Sequence, residues 1–136
     1  DVSNQAVKLS ATLFSEDPTK NFFVYDPNEF ETNQKNFKAD LVLSLDVIYH
    51  LVEDEVYRKY LTNVFNSAKK FVAIFSSNED MTGMLHSRHV RHRNFTRHIE
   101  EWFPAWELKD TLKNNQRKSD TKEKGPSVDF FVFQAR

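Results

Sequence analysis

Apolar positions along this chain follow two rhythms, that of a helix surface and that of a strand buried in a sheet. In DVSNQAVKLSATLF, Ala6, Leu9 and Leu13 recur at helical spacing behind the N-cap residues Asp1 and Ser3, which predicts a helix over 4–14. SEDPTK follows with turn chemistry and Pro18 as a breaker. NFFVYD is rich in β-formers and predicts a short strand that stops at Asp26-Pro27. NEFETNQKNFK is polar and irregular, with room for a short helical turn. DLVLSLDV is apolar at consecutive positions, the mark of a central parallel strand with helices on each side.

An amphipathic helix is expected over 53–65, with Val56, Tyr57, Tyr60, Leu61 and Val64 on one face. Glu53, Asp54 and Glu55 in its first turn, and Lys69 and Lys70 beyond its end, suit the helix dipole. Asp54–Arg58 and Glu55–Lys59 are spaced as i,i+4 pairs. KFVAIFSS reads as a second strand buried on both faces. A polar, basic connection then leads to a short helix, NFTRHIEEWF, stopped by Pro104. WELKDTL and VDFFVFQA flank a charged loop and predict a terminal antiparallel hairpin. This alternation of helices and strands is an α/β layout.

Composition narrows the picture. The 136 residues suffice for one domain with one core. A net charge of −1 gives no overall attraction to polyanions. The absence of cysteine excludes disulfides, thiolate chemistry and cysteine zinc sites. No apolar run approaches the roughly 20 residues of a membrane span, and no signal peptide is visible, so a cytoplasmic location without membrane contact is the default expectation.

Ligands of open parallel sheets bind beyond the carboxyl ends of the strands. Three such positions carry acids: Asp1 at the start of the chain, Asp26 after FFVY and Asp46 after LVLSL. Tyr49 and His50 follow Asp46 within four residues, and the KFVAIFSS strand ends in Ser76-Ser77-Asn78. An acid at any one strand end can equally cap the next helix or face water.

The segments DVSNQAVKLS, FFVYD, ADLVLSLDVIYHLVED, FVAIFSSN and RHVRHRNF…FPAWEL, in that order, resemble a class I S-adenosylmethionine-dependent methyltransferase. The resemblance runs nearly end to end. It implies an α/β, Rossmann-like methyltransferase sheet with helices on both faces and a C-terminal antiparallel hairpin. It places Asp1 on the ribose hydroxyls of S-adenosylmethionine, Val2 beside the adenine, and Asp26 with Pro27 at the adenine amino group. The segment 44–51 corresponds to the methionine and substrate side, which adds Leu45, Asp46, Val47 and Tyr49 to the cofactor contacts. Such chemistry suits these residue types: a carboxylate accepts hydroxyl hydrogen bonds, and a sulfonium favours acceptors and aromatic faces. Methyl transfer is mostly alignment, with a base needed where the acceptor must lose a proton. Asp46 and His50 are the catalytic candidates, His50 as base. For Tyr49 and His50 the plainer readings are packing and a satisfied histidine at a helix start.

The family's first strand and its Gly-rich loop belong before Asp1, and Gly83 and Gly125 lie where they cannot supply that loop. The resemblance therefore implies that 1–136 is a single, truncated domain, the C-terminal portion of a methyltransferase, binding cofactor weakly by itself. A missing central strand would expose sheet edges, and self-association through them is expected.

HSRHVRHRNFTRH carries His86, His89, His92 and His98 with Arg88, Arg91, Arg93 and Arg97. Its histidine spacing suits metal, but no acidic or cysteine ligand accompanies it, so no metal site is assigned. Arginine forks suit a phosphate-bearing or acidic substrate, and Tyr49, His89, Arg91 and Arg93 are the acceptor-binding candidates. A solvated basic loop is the alternative. Two other functions stay open, a degenerate Rossmann-like interaction module without catalysis and a basic loop that grips nucleic acid. The methyl acceptor, small molecule or macromolecule, is not identified.

Overall fold

The computed structural model describes residues 1–81, 89–114 and 127–136. Its elements in chain order are α1 (Asn4–Leu13), α2 (Pro27–Thr32), β1 (Ala39–Leu45), α3 (Asp54–Ser67), β2 (Ala68–Ser77), α4 (Phe95–Trp102), β3 (Trp106–Leu112) and β4 (Val128–Ala135). The four strands form one mixed sheet in the order β1-β2-β4-β3. β1 and β2 are parallel, while β4 runs antiparallel to both β2 and β3. The chain thus has an open α/β sheet closed on one side by the expected hairpin.

Local chemistry explains most element ends. Ser3 caps α1, its Oγ accepting from Ala6 N at 3.2 Å, and Asn94 caps α4 through Arg97 N at 3.4 Å. Glu53 stands at the start of α3, whose first turn carries Asp54 and Glu55 against the positive end of the helix dipole. At its other end α3 passes from Ser67 into β2 at Ala68 with no loop residue between.

The core lies on one face of the sheet. Register places Val42, Val72 and Phe133 in one row and Ser44, Ile74 and Phe131 in the next. Tyr57, Leu61, Val64 and Phe65 of α3 and Phe95 and Ile99 of α4 close over them. Phe65 stacks on Phe103 with ring centroids 4.6 Å apart and meets Trp106 and Phe133 edge-on at 5.3 and 5.6 Å. Full burial of such a ring contributes roughly 2–3 kcal/mol before packing geometry is counted. Ser44 is buried in the same layer because its hydroxyl meets Tyr60 Oη at 3.0 Å.

The opposite face differs from expectation. Among the described residues, helices cover β1 on one side only: Leu41, Leu43 and Leu45 stay 49%, 56% and 48% exposed, and α1 contributes no buried residue. The strand expected over 22–26 does not form either. Its backbone makes two bonds to the chain start, Tyr25 N to Asp1 O at 2.7 Å and Asp1 N to Phe23 O at 3.1 Å. An extended run becomes a strand only with a continuing ladder partner, which this one lacks among the described residues. Side chains hold it instead: Asn63 Nδ2 donates to Tyr25 Oη at 2.8 Å, and Tyr25 meets Tyr60 edge-on at 6.2 Å.

The two faces should respond differently to truncation. Phe65→Ala is expected to cost about 3–5 kcal/mol, whereas Leu43→Ala should cost less than about 1 kcal/mol, both read from urea unfolding midpoints.

Candidate functional site

The site is built where β1 leaves the sheet. Asp46 N still donates to Phe75 O at 3.1 Å, one residue past the end of the strand. Asp46 itself takes a φ of 57°, the one non-glycine residue in the left-handed region among the described residues. Aspartate tolerates this conformation better than the β-branched residues around it. The turn throws the chain out of the sheet into a short 3-10 segment, Ile48–His50, which buries Ile48 and presents Tyr49 and His50. Tyr49 Oη donates to Asp46 Oδ1 at 2.8 Å, and its ring lies 4.5 Å from His50 and 5.7 Å from His92. Burial, together with the Asp46 carboxylate, pushes the Tyr49 hydroxyl up to about 12, so it stays a donor at neutral pH.

The two motifs singled out in the sequence meet here. Arg91 N–H donates to Tyr49 O at 2.8 Å. His50 Nδ1 lies 3.3 Å from His89 O. A carbonyl only accepts, so in that contact Nδ1 carries the proton and the neutral ring keeps its lone pair on Nε2. His92 Nδ1 lies 2.6 Å from the buried Ser77 Oγ, and His98 Nδ1 lies 3.0 Å from Tyr57 Oη. Arg91 and Arg93 do less at the surface than their sequence position suggests. Arg91 binds Val52 O at 3.1 Å and Asp54 at 3.0 Å. Arg93, its side chain 5% exposed, binds Leu51 O at 2.8 Å, Val52 O at 2.6 Å and Asp54 Oδ1 at 3.1 Å, and covers the Tyr57 ring at 4.3 Å. Asp54 therefore turns to these two arginines and not to Arg58, whose Cζ lies over the Trp102 ring at 5.0 Å.

Asp1 and Asp26 share a cavity of about 480 Å³ whose walls include Phe23, Tyr25, Phe30 and Phe37. Asp1 Oδ1 accepts from Ser3 N at 2.8 Å. Asp26 Oδ1 accepts from Asn28 N at 2.7 Å and Glu29 N at 3.1 Å, capping α2, and the Glu29 and Asn28 bonds hold its carboxyl below the usual range. Val2 and Pro27 adjoin these acids without lining the cavity, and Leu45, Asp46, Val47 and Tyr49 stand outside it. A larger cleft of about 950 Å³ opens between α3 and α4, with Arg58, Arg97, His98 and Trp102 on its walls. Sequence reasoning assigned Arg58 to a helix-surface pair and Tyr57 to the core, and gave Trp102 no role. Their signal was present only as spacing: Arg58 lies four residues after Asp54, and His98 four before Trp102. His86, Arg88, Gly83, Gly125 and most of the charged loop over 113–124 lie outside the described residues.

No family model matches the chain. No curated protein matches it either. Among solved structures it is similar to an S-adenosylmethionine-dependent methyltransferase from Clostridium acetobutylicum ATCC 824, at 13% identity and a TM-score of 0.63, over 99% of this chain and 73% of that one. The chain has a class I methyltransferase-like fold. β1 and β2 run parallel, so Asp46 and Ser77 stand at the same end of the sheet.

Two outcomes follow. Arg93→Ala removes three hydrogen bonds and a buried ring contact and should lower stability by roughly 3 kcal/mol, against less than about 1 kcal/mol for the more exposed Arg91→Ala, measured by urea unfolding. Burial, with Arg97 beside it, holds the His98 imidazole below its ordinary value. The unfolded chain then takes up this proton first. Stability is full above about pH 6.5 and falls as pH drops toward the folded value. Thermal unfolding between pH 7 and pH 5 should show this slope, and His98→Gln should flatten it.

Proposed function

We propose that this chain works in S-adenosylmethionine-dependent methyl transfer. One observation carries the reading: a cavity of about 480 Å³ joins Asp1 and Asp26 with four aromatic rings, on a methyltransferase-like fold. That combination fits the adenosine half of the cofactor. Phenylalanine faces receive a planar base, a carboxylate accepts hydrogen bonds from a ribose diol, and Asp26 keeps Oδ2 for an amino group. Val2 and Pro27, next in the chain to the two acids, stand at the rim of this cavity and not on its walls. Leu45, Val47, Asp46 and Tyr49 would border the methionine end. The bound cofactor supplies an activated methyl group on a sulfonium.

The chain's own residues then align and deprotonate. Asp46 and the Tyr49 face favour positive charge, and the bond between them fixes the Tyr49 ring. His50, protonated at Nδ1 toward His89 O, offers Nε2 as the base for an acceptor that must lose a proton. His89 thereby acts through its backbone. Arg91 and Arg93 hold the acceptor-side segment in place more than they offer free donors. No described residue is a glycine, so the Gly-rich turn for the methionine end has no counterpart among the described residues.

Calorimetric titration with S-adenosylhomocysteine tests the reading. Saturable binding is expected, and Asp26→Ser, which keeps the α2 cap, should weaken it at least about tenfold. Absence of binding at millimolar ligand in the full-length protein would falsify the proposal.

A second reading rests on a different observation. The outer edge of β1 has no strand partner among the described residues, and its leucines are exposed on one face. Such an edge pairs readily, and a second copy would pair with it about a twofold axis. Light scattering after size exclusion decides this, a monomer at high concentration counting against it. As to membranes, no helix among the described residues is long and apolar enough to cross one.

A further inference from the structure

We propose that the cleft between α3 and α4 binds an oxyanion, a phosphate or carboxylate group carried by a small molecule. Four guanidinium groups line this cleft, and they divide into two kinds. Arg91 and Arg93 are engaged by Asp54 and by the carbonyls of residues 51 and 52. Arg58 and Arg97 form no ion pair among the described residues. Arg58 is nevertheless held over the Trp102 ring, its Cζ 5.0 Å from the centroid, and a ring contact uses none of the guanidinium N–H donors that an oxyanion needs.

His98 adds a donor of defined tautomer. Its ring lies parallel to Trp102, 4.8 Å away at 5°, and its Nδ1 meets Tyr57 Oη at 3.0 Å. Tyr57 is 1% exposed, and its hydroxyl has no other polar partner among the described residues. If the imidazole donated, the phenol proton would be buried without an acceptor, which folded proteins avoid. The hydroxyl therefore donates, and the neutral ring carries its proton on Nε2. By the same argument the buried Ser77 hydroxyl donates to His92 Nδ1 and sets the same tautomer there. The His98 imidazole thus lines the cleft as an N–H donor.

The acids on the walls do not cancel these donors. Asp54 is neutralised by Arg91 and Arg93, and Asp80 Oδ1 accepts from Asn94 N at 2.9 Å. Glu55 is exposed on the first turn of α3. The donors converge on one cleft, in a chain of net charge −1, and this favours a compact anion over a polymer with many phosphates. Combined with the methyl-transfer reading, on which this step alone rests, the site makes the methyl acceptor an anionic molecule.

The experiment titrates inorganic phosphate, and separately acetate, into the full-length protein at constant ionic strength. Arginine Nε–H and histidine Cε1–H resonances report occupancy. Saturable shifts at Arg58, Arg97 and His98 are expected. Arg58→Gln with Arg97→Gln should weaken the tighter anion at least about tenfold, since charge-assisted forks are lost, while Lys113→Gln, in the Asp129 ion pair of the hairpin, should leave it unchanged. Both arginines are exposed, and each single variant with its circular dichroism spectrum guards against a folding artefact. Shifts that rise without saturation, or that persist unchanged in the double variant, overturn the proposal. So does a short single-stranded oligonucleotide that binds far more tightly than phosphate with steep salt dependence. Titration with S-adenosylhomocysteine in parallel separates the two claims: anion binding without it removes the methyl-transfer reading and leaves the oxyanion site standing, and the converse result removes only the oxyanion site.

Discussion

Arg93 is the buried cation around which the site is organised. Its charge is not matched by a buried acid. Two backbone carbonyls, the outward carboxylate of Asp54 and the face of Tyr57 share it, and Nε has no hydrogen-bond partner among the described residues. Carbonyls just past the end of the 3-10 turn, outside any helix or strand ladder, are the natural partners of such a fork. The bond pattern ties three segments that are far apart in sequence: the exit from β1, the start of α3 and the approach to α4. Removing a buried ionic group's partner leaves an uncompensated charge, so this arrangement is stable only as a whole.

The same tie explains why two motifs act as one. Tyr49 and His50 follow β1, while His89 and His92 lie on the connection that leads into α4. Arg91 N–H to Tyr49 O and the Arg93 fork set their separation. The imidazole orientations then follow from hydrogen-bond accounting, since each Nδ1 faces a group whose chemistry decides which partner donates.

The sequence made the strands legible where apolar runs were continuous. β3 and β4 fall where alternation and apolar density place them, and α3 starts one residue later than its acidic first turn suggests. The bare face of β1 was not legible, because a run of Leu and Val states what a strand wants to bury and not whether anything arrives to cover it. The 22–26 segment misleads in the same way, since β-propensity without a ladder partner yields only extended chain. At the site, Asp46, Tyr49 and His50 stood out because polar groups interrupted a buried pattern. Arg58 and Trp102 did not, because a lone arginine on an amphipathic helix has the pattern of a solvated face, and only tertiary packing brings Trp102 beneath it.

The direct passage from Ser67 into Ala68 gives the molecule a stiff joint. A helix repeats every 3.6 residues and a strand every two, so a connecting loop normally absorbs any mismatch of phase. Here nothing absorbs it. The roll of α3 about its axis and the inward choice of Val72, Ile74 and Ser76 are one geometric variable. Gaining or losing a residue at 67–68 would invert every side chain of β2 and carry Ser77 away from His92. The joint thereby fixes the distance between the core and the end of β2 at Ser77.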